Sequence, residues 1–454
     1  MNPDTLAVFR RAVRGLRCKA ERTPARRDRH IDFLRAMAII AVVTGHWLTV
    51  QITHDGGLHG ASVLDLVPWT RPLTWLFQVM PIFFLVGGFA NAASLAAHRR
   101  RGGGVTGWML RRTERLVRPT TMLLIVLTAV ALAAGAVGAD PALVGLATWV
   151  AGIPLWFLVA YLAVVVLTPV TYALHERFGL AVPVALLVLV GAGDMARLVW
   201  RVPHGGEGNF LFAWLAIHQL GFAWRDGRLP ARPAVALPLA LGGTAALVGL
   251  TVWGPYPVSM VAVAGQEIQN TSPPTLALLA LATAQTGFAL LLHGPVNRWL
   301  SDVRPWTVVV AINSVIMTVF LWHMTAVVFG VLALYATGVF PQPPPASVPW
   351  FLLRLPWLAV LGVFLGVLVM LFGPVEQRIR PYHEPGRGAG LLTAAGMAGV
   401  LAGLLGIAMA GPGHHGPAGQ PTVALVVYFA GAAALRLARS SPTPGRAARP
   451  RPRL

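Results

Sequence analysis

Apolar stretches long enough to cross a membrane recur along the whole chain, with polar residues clustered between them. Two of these stretches, 120–138 and 355–373, contain no charged residue, and about 20 apolar residues suffice to span a bilayer as a helix. A window of about 19 residues predicts about twelve spans, near 31–50, 73–97, 119–138, 150–172, 179–193, 209–224, 233–253, 275–292, 307–336, 351–373, 389–411 and 421–435.

This pattern predicts an all-α fold, a polytopic transmembrane helical bundle. Charged residues make up 11% of the chain and hydrophobic residues 56%, whereas soluble proteins average about 25% charged residues. The composition therefore excludes an ordinary water-soluble enzyme. The spans near 179–193 and 209–224 are short for a bilayer crossing, and 307–336 is long enough to tilt or to include a re-entrant turn.

The charge is strongly basic, with a formal net charge of +20 from 36 Lys and Arg against 16 Asp and Glu. Such an excess would indicate nucleic-acid binding if it lay on one soluble face. Alternating loops instead put nearly all the basic residues on one side of the membrane; the other side holds Arg71, Arg197, Arg201 and Arg354. Because basic loops stay in the cytoplasm, we expect a multi-pass protein of the cell membrane with both termini cytoplasmic and no nucleic-acid partner.

Both ends of the chain are basic. Residues 1–29 carry nine Lys or Arg and lack the apolar core of a signal peptide, so they are predicted to form a cytoplasmic arm. Residues 438–454 are predicted to form a basic cytoplasmic tail. The chain has one cysteine, Cys18, which excludes a disulfide within the chain and a zinc–thiolate site. No bound metal is expected.

The first span contains three ionisable residues, Asp32, Arg35 and His46, and such groups are costly inside a membrane unless they have a function. At about 100° per residue, Arg35 and His46 lie about 20° apart around the helix and Asp32 within about 60° of both, so all three share one face. Asp32 and Arg35 could also form an interfacial ion pair that reaches the inner surface. His46 lies about 15 residues from the inner end, roughly 22 Å deep, where no such anchoring role exists.

Two further histidines lie within predicted spans, His218 and His323. His323 is about 16 residues, roughly 24 Å, from its inner boundary, so it reaches a depth similar to that of His46. His218 lies in a span that runs inward and should be closer to the cytoplasm. Each could instead be a core histidine hydrogen-bonded to a neighbouring helix, and this interpretation is the stronger one for His218.

A cytoplasmic loop after the second span holds seven Arg between Arg99 and Arg118, next to the pliable run Gly102, Gly103 and Gly104. The guanidinium fork suits phosphates, so the loop could hold the nucleotide end of coenzyme A. Binding to anionic lipid headgroups is the alternative, and membrane lipid is in any case an expected partner. The second span itself carries Pro81 and the pair Gly87–Gly88, which permit a kink and close helix packing.

Several motifs together resemble the membrane acyltransferase-3 family. The first span matches the spacing of that family's Arg, ten residues, and His through Arg35 and His46, and MPIFFLVGGFANAAS is similar to its Phe-Phe-x-x-(Ser/Gly)-Gly-Phe helix. RRTERLVRP resembles its cytoplasmic Arg-x-x-Arg loop through Arg112 and Arg115, IPLWFLVAYL its Trp-containing helix, and INSVIMTVFLWHM a late helix with His323. The resemblance covers residues 28–373. One departure is Tyr161, where many members carry Glu.

The resemblance implies a bacterial acyl-CoA-dependent O-acyltransferase with a transmembrane domain over 30–373, two additional C-terminal spans over 374–437, and the tail. Members transfer acyl groups, often acetyl from acetyl-CoA, to hydroxyls of carbohydrates and related envelope or secreted molecules. A carbohydrate or glycosylated acceptor is therefore the implied partner. Carried over to this chain, Arg35, Arg112 and Arg115 would help to bind acyl-CoA from the cytoplasmic side, and His46 would serve the transfer.

Attack of a hydroxyl on a thioester requires removal of its proton, a task suited to an imidazole. The hypothesis is that His46 is the general base, Asp32 or Arg35 sets the local charge, and His323 is a second acid–base group or a donor to the oxyanion. A variant of this mechanism, in which His46 carries the acyl group as an acyl-His intermediate, is not distinguished from direct transfer by the sequence. The competing hypothesis is a transporter or flippase that uses the same intramembrane residues, but the chain shows no convincing internal repeat. The sequence does not identify the acceptor.

Overall fold

The computed structural model describes residues 14–24, 27–54, 58–378, 386, 388–411, 416 and 419–440. The predicted arm lies partly, and the tail 438–454 mostly, outside these residues. Residues 14–21 are helical. After them come α1 (Arg29–Thr49), β1 (Val50–His54), β2 (Leu58–Ser62), α2 (Val63–Leu66), a 3-10 helix (Pro68–Leu73), α3 (Thr74–Phe77), α4 (Met80–Arg100), α5 (Val105–Ala136), α6 (Pro141–Gly152), α7 (Leu155–Phe178) and α8 (Ala181–Leu198).

The second half continues with α9 (Asn209–Arg225), α10 (Pro233–Val252), α11 (Leu276–Trp299), α12 (Val303–Ser314), α13 (Ile316–Gly330), a π-helical turn (Val331–Tyr335), α14 (Val348–Leu352), α15 (Arg354–Gln377), α16 (Ala389–Met409) and α17 (Thr422–Ser440). Sheet among the described residues is confined to the antiparallel pair β1–β2, with Val50 opposite Ser62. The predicted all-α polytopic bundle is confirmed, and this short hairpin after α1 and the helix α6 are elements that the apolar pattern did not predict.

Eleven helical segments of the described chain are long and apolar enough to cross a membrane, against about twelve predicted. The difference is α9, predicted as a span near 209–224. It has 17 residues, one fewer than α8, the shortest of the eleven, and lies at the lower end of the range of about 17–25 residues that can cross a bilayer. Its inner residues, including Trp214, His218 and Phe222, are almost fully buried, and its role as the twelfth span stays a prediction.

The long span predicted at 307–336 breaks at Val315, where the backbone leaves the helical region between α12 and α13. Two polar side chains bond to main-chain oxygens just before the break. Asn313 donates to the carbonyls of Asp32 and Val309, both at 2.9 Å, and the Ser314 hydroxyl donates to that of Ala311 at 2.7 Å. Such side chains compete with the helical hydrogen bonds, and this gives the break a local cause.

The chain divides into two compact units. The first comprises Met1–Ala92 and Val170–Leu371, and the second Ala93–Pro169 and Phe372–Leu454. In the first unit, α1 packs against α11, α12 and α13. In the second, α16 and α17 pack against each other and each contacts α5, which also contacts α6. The boundaries predicted along the chain, 30–373 and 374–437, follow the order of the spans and stay a prediction.

Glycines allow the closest helix approach in the first unit. A Cβ at Gly88 would lie 2.0 Å from the His218 carbonyl oxygen, and one at Gly221 would lie 2.1 Å from that of Leu85. No side chain fits at such distances, so the backbones of α4 and α9 touch only because both positions are glycine. The Gly87–Gly88 pair that the sequence singled out therefore includes a packing position.

Candidate active site

The helix α1 carries Asp32, Arg35 and His46, and its first turn is tightly anchored. The Asp28 carboxylate caps the helix by accepting from the His30 backbone N–H at 3.1 Å, and it also accepts from His293 at 2.9 Å and Asn297 at 3.2 Å. Burial opposes ionisation of Asp28, but the hydrogen bonds from His293 and Asn297 outweigh it and lower the pKa of this carboxyl. The ionised cap suits the positive end of the helix dipole.

Fourteen residues after Asp32 on α1, His46 contacts His323 of α13. The Nδ1 atom of His46 lies 2.8 Å from Nε2 of His323, and the two rings are almost parallel, with a 5° interplanar angle and centroids 5.1 Å apart. The similar depth predicted for these two residues thus becomes a direct hydrogen bond. The chain separation of 277 residues explains why the sequence could indicate the depth but not the contact.

The hydrogen bonds determine which nitrogen of each neutral ring carries the proton. Nδ1 of His323 lies 2.6 Å from the Phe320 carbonyl oxygen, which can only accept, so this nitrogen is the donor. Nε2 of neutral His323 is then an acceptor, and Nδ1 of His46 must donate to it. It follows that Nε2 of His46 carries a lone pair and no proton. The described side chains offer that atom no hydrogen bond.

The two rings differ in access. His323 is 0% exposed and both its nitrogens are engaged, whereas His46 is only partly buried. Of the two, His46 is therefore the ring that can meet a substrate, and its unprotonated nitrogen has the character of a general base.

Two tryptophans secure the backbone around the histidine pair. The Trp47 indole donates to the His323 carbonyl at 3.0 Å, and the Trp357 indole donates to the Trp47 carbonyl at 3.1 Å. Both indoles are buried. Since each bond joins α1 to another helix, the pair fixes the position of His46 relative to α13 and α15. Neither residue stands out in the sequence, because a tryptophan in an apolar span is ordinary.

Asp32 and Arg35 form an ion pair near the beginning of α1. The Asp32 carboxylate lies 3.5 Å from the Arg35 guanidinium and 2.7 Å from that of Arg27. Along the helix, Asp32 is about 21 Å and Arg35 roughly 16 Å from His46. The structure thus does not bring Asp32 or Arg35 into contact with His46, although all three share one side of α1. A catalytic contribution of Asp32 stays a prediction.

The predicted Arg-x-x-Arg pair lies in the first half of α5, in the second unit. Arg112 is half-buried and donates to the Tyr161 hydroxyl at 3.1 Å, while its buried Nε has no hydrogen-bond partner among the described residues. Arg115 is exposed. Tyr161, which stands where many family members carry Glu, therefore contacts a predicted donor-binding arginine. Convergence of Arg35, Arg112 and Arg115 at one cavity mouth stays a prediction, since Arg35 belongs to the first unit.

Other residues of the arginine-rich segment already have protein partners. Arg111 contacts the ring of His98, whose Nε2 lies 3.0 Å from the Gly104 carbonyl. Arg118 donates to the Arg378 carbonyl at 2.7 Å, and Glu114 lies 4.0 Å from Arg439 of α17. These contacts were not predicted, and only Glu114, an acid amid arginines, could have signalled an ion pair.

His218, the third intramembrane histidine, is completely buried, and its Nε2 lies 3.0 Å from Asn91 Nδ2. This agrees with the core interpretation favoured by the sequence.

Among the residues that the structure describes, no group of three or more His, Cys, Asp or Glu could hold a metal ion.

Comparison with known protein families finds a match over most of the chain. A family model described as an acyltransferase domain, of the acyltransferase-3 type, matches residues 28–375. No curated protein and no solved structure matches the chain. The matched region includes both histidines of the pair and all three predicted donor-binding arginines, and it ends before α16 and α17.

Proposed function

The chain belongs to the acyltransferase-3 family and is a multi-span membrane acyltransferase, and we propose that its donor is acyl-CoA and its acceptor a hydroxyl group. Acetyl-CoA is the first donor to test. The acceptor is a carbohydrate or a related envelope or secreted molecule. The observation that carries the proposal is the hydrogen bond between His46 and His323, because it presents an unprotonated nitrogen on the one accessible ring of the pair.

In the proposed reaction, Nε2 of His46 takes the proton of the acceptor hydroxyl as its oxygen attacks the thioester carbonyl. A new C–O bond forms, the C–S bond breaks, and the departing coenzyme A thiolate receives the proton from the His46 imidazolium. The products are the ester and free coenzyme A, and His46 returns to its neutral form. General base catalysis of this kind contributes on the order of 10²–10⁴-fold.

The proposal assigns His323 a positioning role. Its nitrogens are occupied by His46 and by the Phe320 carbonyl, so it has none left for the acceptor or the oxyanion. It holds His46 in the tautomer with a free Nε2 and, after proton transfer, accepts a hydrogen bond from the charged ring. A third group that orients a catalytic imidazole in this way is a recurring feature of acyl-transfer sites.

The donor must reach from a charged anchor to a distant reacting carbon. Arg35 lies roughly 16 Å along α1 from His46, so a ligand that uses both needs its anionic end far from its reactive carbonyl. Acyl-CoA has this form, with phosphates at one end and the thioester at the other. We assign Arg35, Arg112 and Arg115 to its phosphates, with Asp32 holding Arg35 through the ion pair.

The loops predicted to lie outside the membrane, opposite the cytoplasmic arginines, support an uncharged, polar acceptor. The loops 254–274, 341–349 and 411–421 contain no Lys or Arg and are rich in Pro, Gly, Gln, Ser and Asn. Such loops offer hydrogen bonds without selecting for an anion. This orientation, with both termini cytoplasmic, follows from the positive-inside rule and belongs to the proposal.

The test is release of free coenzyme A from acetyl-CoA by purified protein in detergent, with a mixture of glycosides and polyols as acceptors. We expect His46→Ala to abolish acceptor-dependent release. The matched control is His204→Ala, since His204 is exposed and its ion-pair partner among the described residues is nearby Glu207, and it should retain full activity. Full release by His46→Ala would refute the role of His46; transport of a solute without any release would instead favour a transporter.

The acceptor is to be identified by mass spectrometry of envelope and secreted glycoconjugates from cells with and without the gene. Loss of an acyl mass increment from one glycoconjugate, restored by the wild-type chain but not by His46→Ala, is the expected result.

A further inference from the structure

The second unit contains a cavity beside the second half of α5. Its walls come from the second half of α5, from α6, from the beginning of α7 and from the facing ends of α16 and α17. Thr128 in this wall follows Arg115 by thirteen residues of α5, about 20 Å along the helix. The cavity therefore lies toward the other end of α5 from the arginines assigned to acyl-CoA.

The chemistry of the wall is uniform. No described lining residue carries an ionisable side chain, and most are apolar, including Leu127, Trp149, Leu155, Ile407 and Leu425. The exceptions are Thr128, Thr148 and Gln420, and the Gln420 amide donates to the Thr148 hydroxyl at 2.7 Å. A wall of this kind offers nothing to the phosphates of coenzyme A or to a free ion. It suits a hydrocarbon chain.

Two elements bound the cavity opposite α5. One face of α6, a helix of 12 residues, contributes Gly145, Thr148, Trp149 and Gly152. The hairpin of α16 and α17, which lies outside the family match, closes the other side of the space. At about 300 Å³, the cavity is at the lower end of the 300–1,000 Å³ range typical of ligand sites.

We propose that this cavity binds an acyl chain of a membrane phospholipid. An empty apolar space of this size would forfeit the contacts that close packing supplies, and the bilayer provides acyl chains around it. The Gln420–Thr148 pair lies at the beginning of α17, where an apolar span ends and the more polar ester region of a phospholipid begins. Because the described wall has no charge, binding should be nearly independent of the headgroup.

The test is native mass spectrometry of the full-length protein in mild detergent, with dioleoylphosphatidylglycerol and dioleoylphosphatidylcholine added separately. Gly152→Phe fills the cavity: a Cβ at Gly152 meets only Leu155, at 3.7 Å, so the backbone tolerates a side chain there. Gly366→Phe is the matched control, because Gly366 is exposed on α15 and a Cβ meets nothing within 4 Å. Ala408→Phe, from the opposite wall, is a second filling variant.

We expect wild type and Gly366→Phe to retain one lipid of either headgroup, and both filling variants to lose it while staying monodisperse. A third sample also contains undecaprenyl phosphate as a competitor. We expect this polyprenyl lipid not to displace the bound phospholipid preferentially. The proposal is overturned if wild type retains no lipid, if the monodisperse filling variants retain it undiminished, or if only the polyprenyl lipid binds. None of these readouts requires acyl transfer, so the result is independent of the proposed function.

Discussion

Replacing His323 tests whether one histidine determines the tautomer of the other. In His323→Ala, Nδ1 of His46 loses its acceptor at 2.8 Å, and the ring is free to carry its proton on either nitrogen. In His323→Gln, the side-chain carbonyl can still accept from Nδ1. The Ala variant should therefore lose turnover and the Gln variant should recover part of it.

The magnitude follows from the hydrogen bond. A net contribution of about 1 kcal/mol per bond corresponds to a roughly fivefold change in the population of the productive tautomer, since about 1.4 kcal/mol is tenfold. We therefore expect kcat of His323→Ala to fall by up to roughly fivefold. The fall for His46→Ala should reach about 10²–10⁴-fold, the usual contribution of a general base.

The assay is steady-state release of coenzyme A with acetyl-CoA varied at saturating acceptor. Since His323 is engaged by His46 and the Phe320 carbonyl, kcat should fall while KM for acetyl-CoA stays constant. A merely structural loss would lower the amount of active protein without the recovery by Gln. His218→Ala is the matched control, because it truncates another completely buried histidine of the same unit and should leave kcat per folded molecule unchanged.

Two results would refute the reasoning. Unchanged kcat in His323→Ala would mean that the hydrogen bond does not govern the reactive tautomer. A loss as large as that of His46→Ala, with no recovery in His323→Gln, would mean that His323 itself takes part in the chemistry.

Three further predictions concern other parts of the chain. Tyr161→Phe removes the hydroxyl that accepts the Arg112 hydrogen bond at 3.1 Å. Loss of about 1 kcal/mol should raise KM for acetyl-CoA roughly fivefold. An unchanged KM would contradict a role of this hydrogen bond in donor binding. Gly221→Ala drives a methyl group into the Leu85 carbonyl and should cost about 1–3 kcal/mol of stability, seen as a lower melting temperature, whereas Gly362→Ala, with open space around its Cβ, should not. Cys18, the one cysteine, should react with a membrane-impermeant maleimide only after the cells are permeabilised. Labelling in intact cells would contradict a cytoplasmic N-terminus.

Much of the fold was predictable because a membrane constrains each spanning segment by its own length and hydropathy. A helix that crosses hydrocarbon must be apolar over a nearly fixed length, so each long apolar run could be recognised without knowing its neighbours. The same rule leaves the span at α9 a prediction, since a 17-residue helix buried among other helices is as apolar as one that faces lipid. The β1–β2 hairpin escaped prediction because Val50 to Ser62 is a mixed stretch between two spans.

The candidate site was predictable only in part. Asp32, Arg35 and His46 lie on one continuous helix, so helical geometry relates them from the sequence alone. The sequence also indicated the depth of His323. What it could not supply was the distance between His46 and His323, because α1 and α13 meet through packing and 277 residues separate the two rings.

The sequence by itself determined a basic, multi-span helical protein in which Asp32, Arg35 and His46 share one face of the first span. It could do so because hydropathy and helical periodicity are local properties. Only the tertiary structure decided that His46 donates to His323 and keeps a free Nε2, that Tyr161 contacts Arg112, and that α5, α6 and the C-terminal hairpin enclose an apolar cavity. Each of these depends on which helices pack together, and so on side chains far apart in the chain.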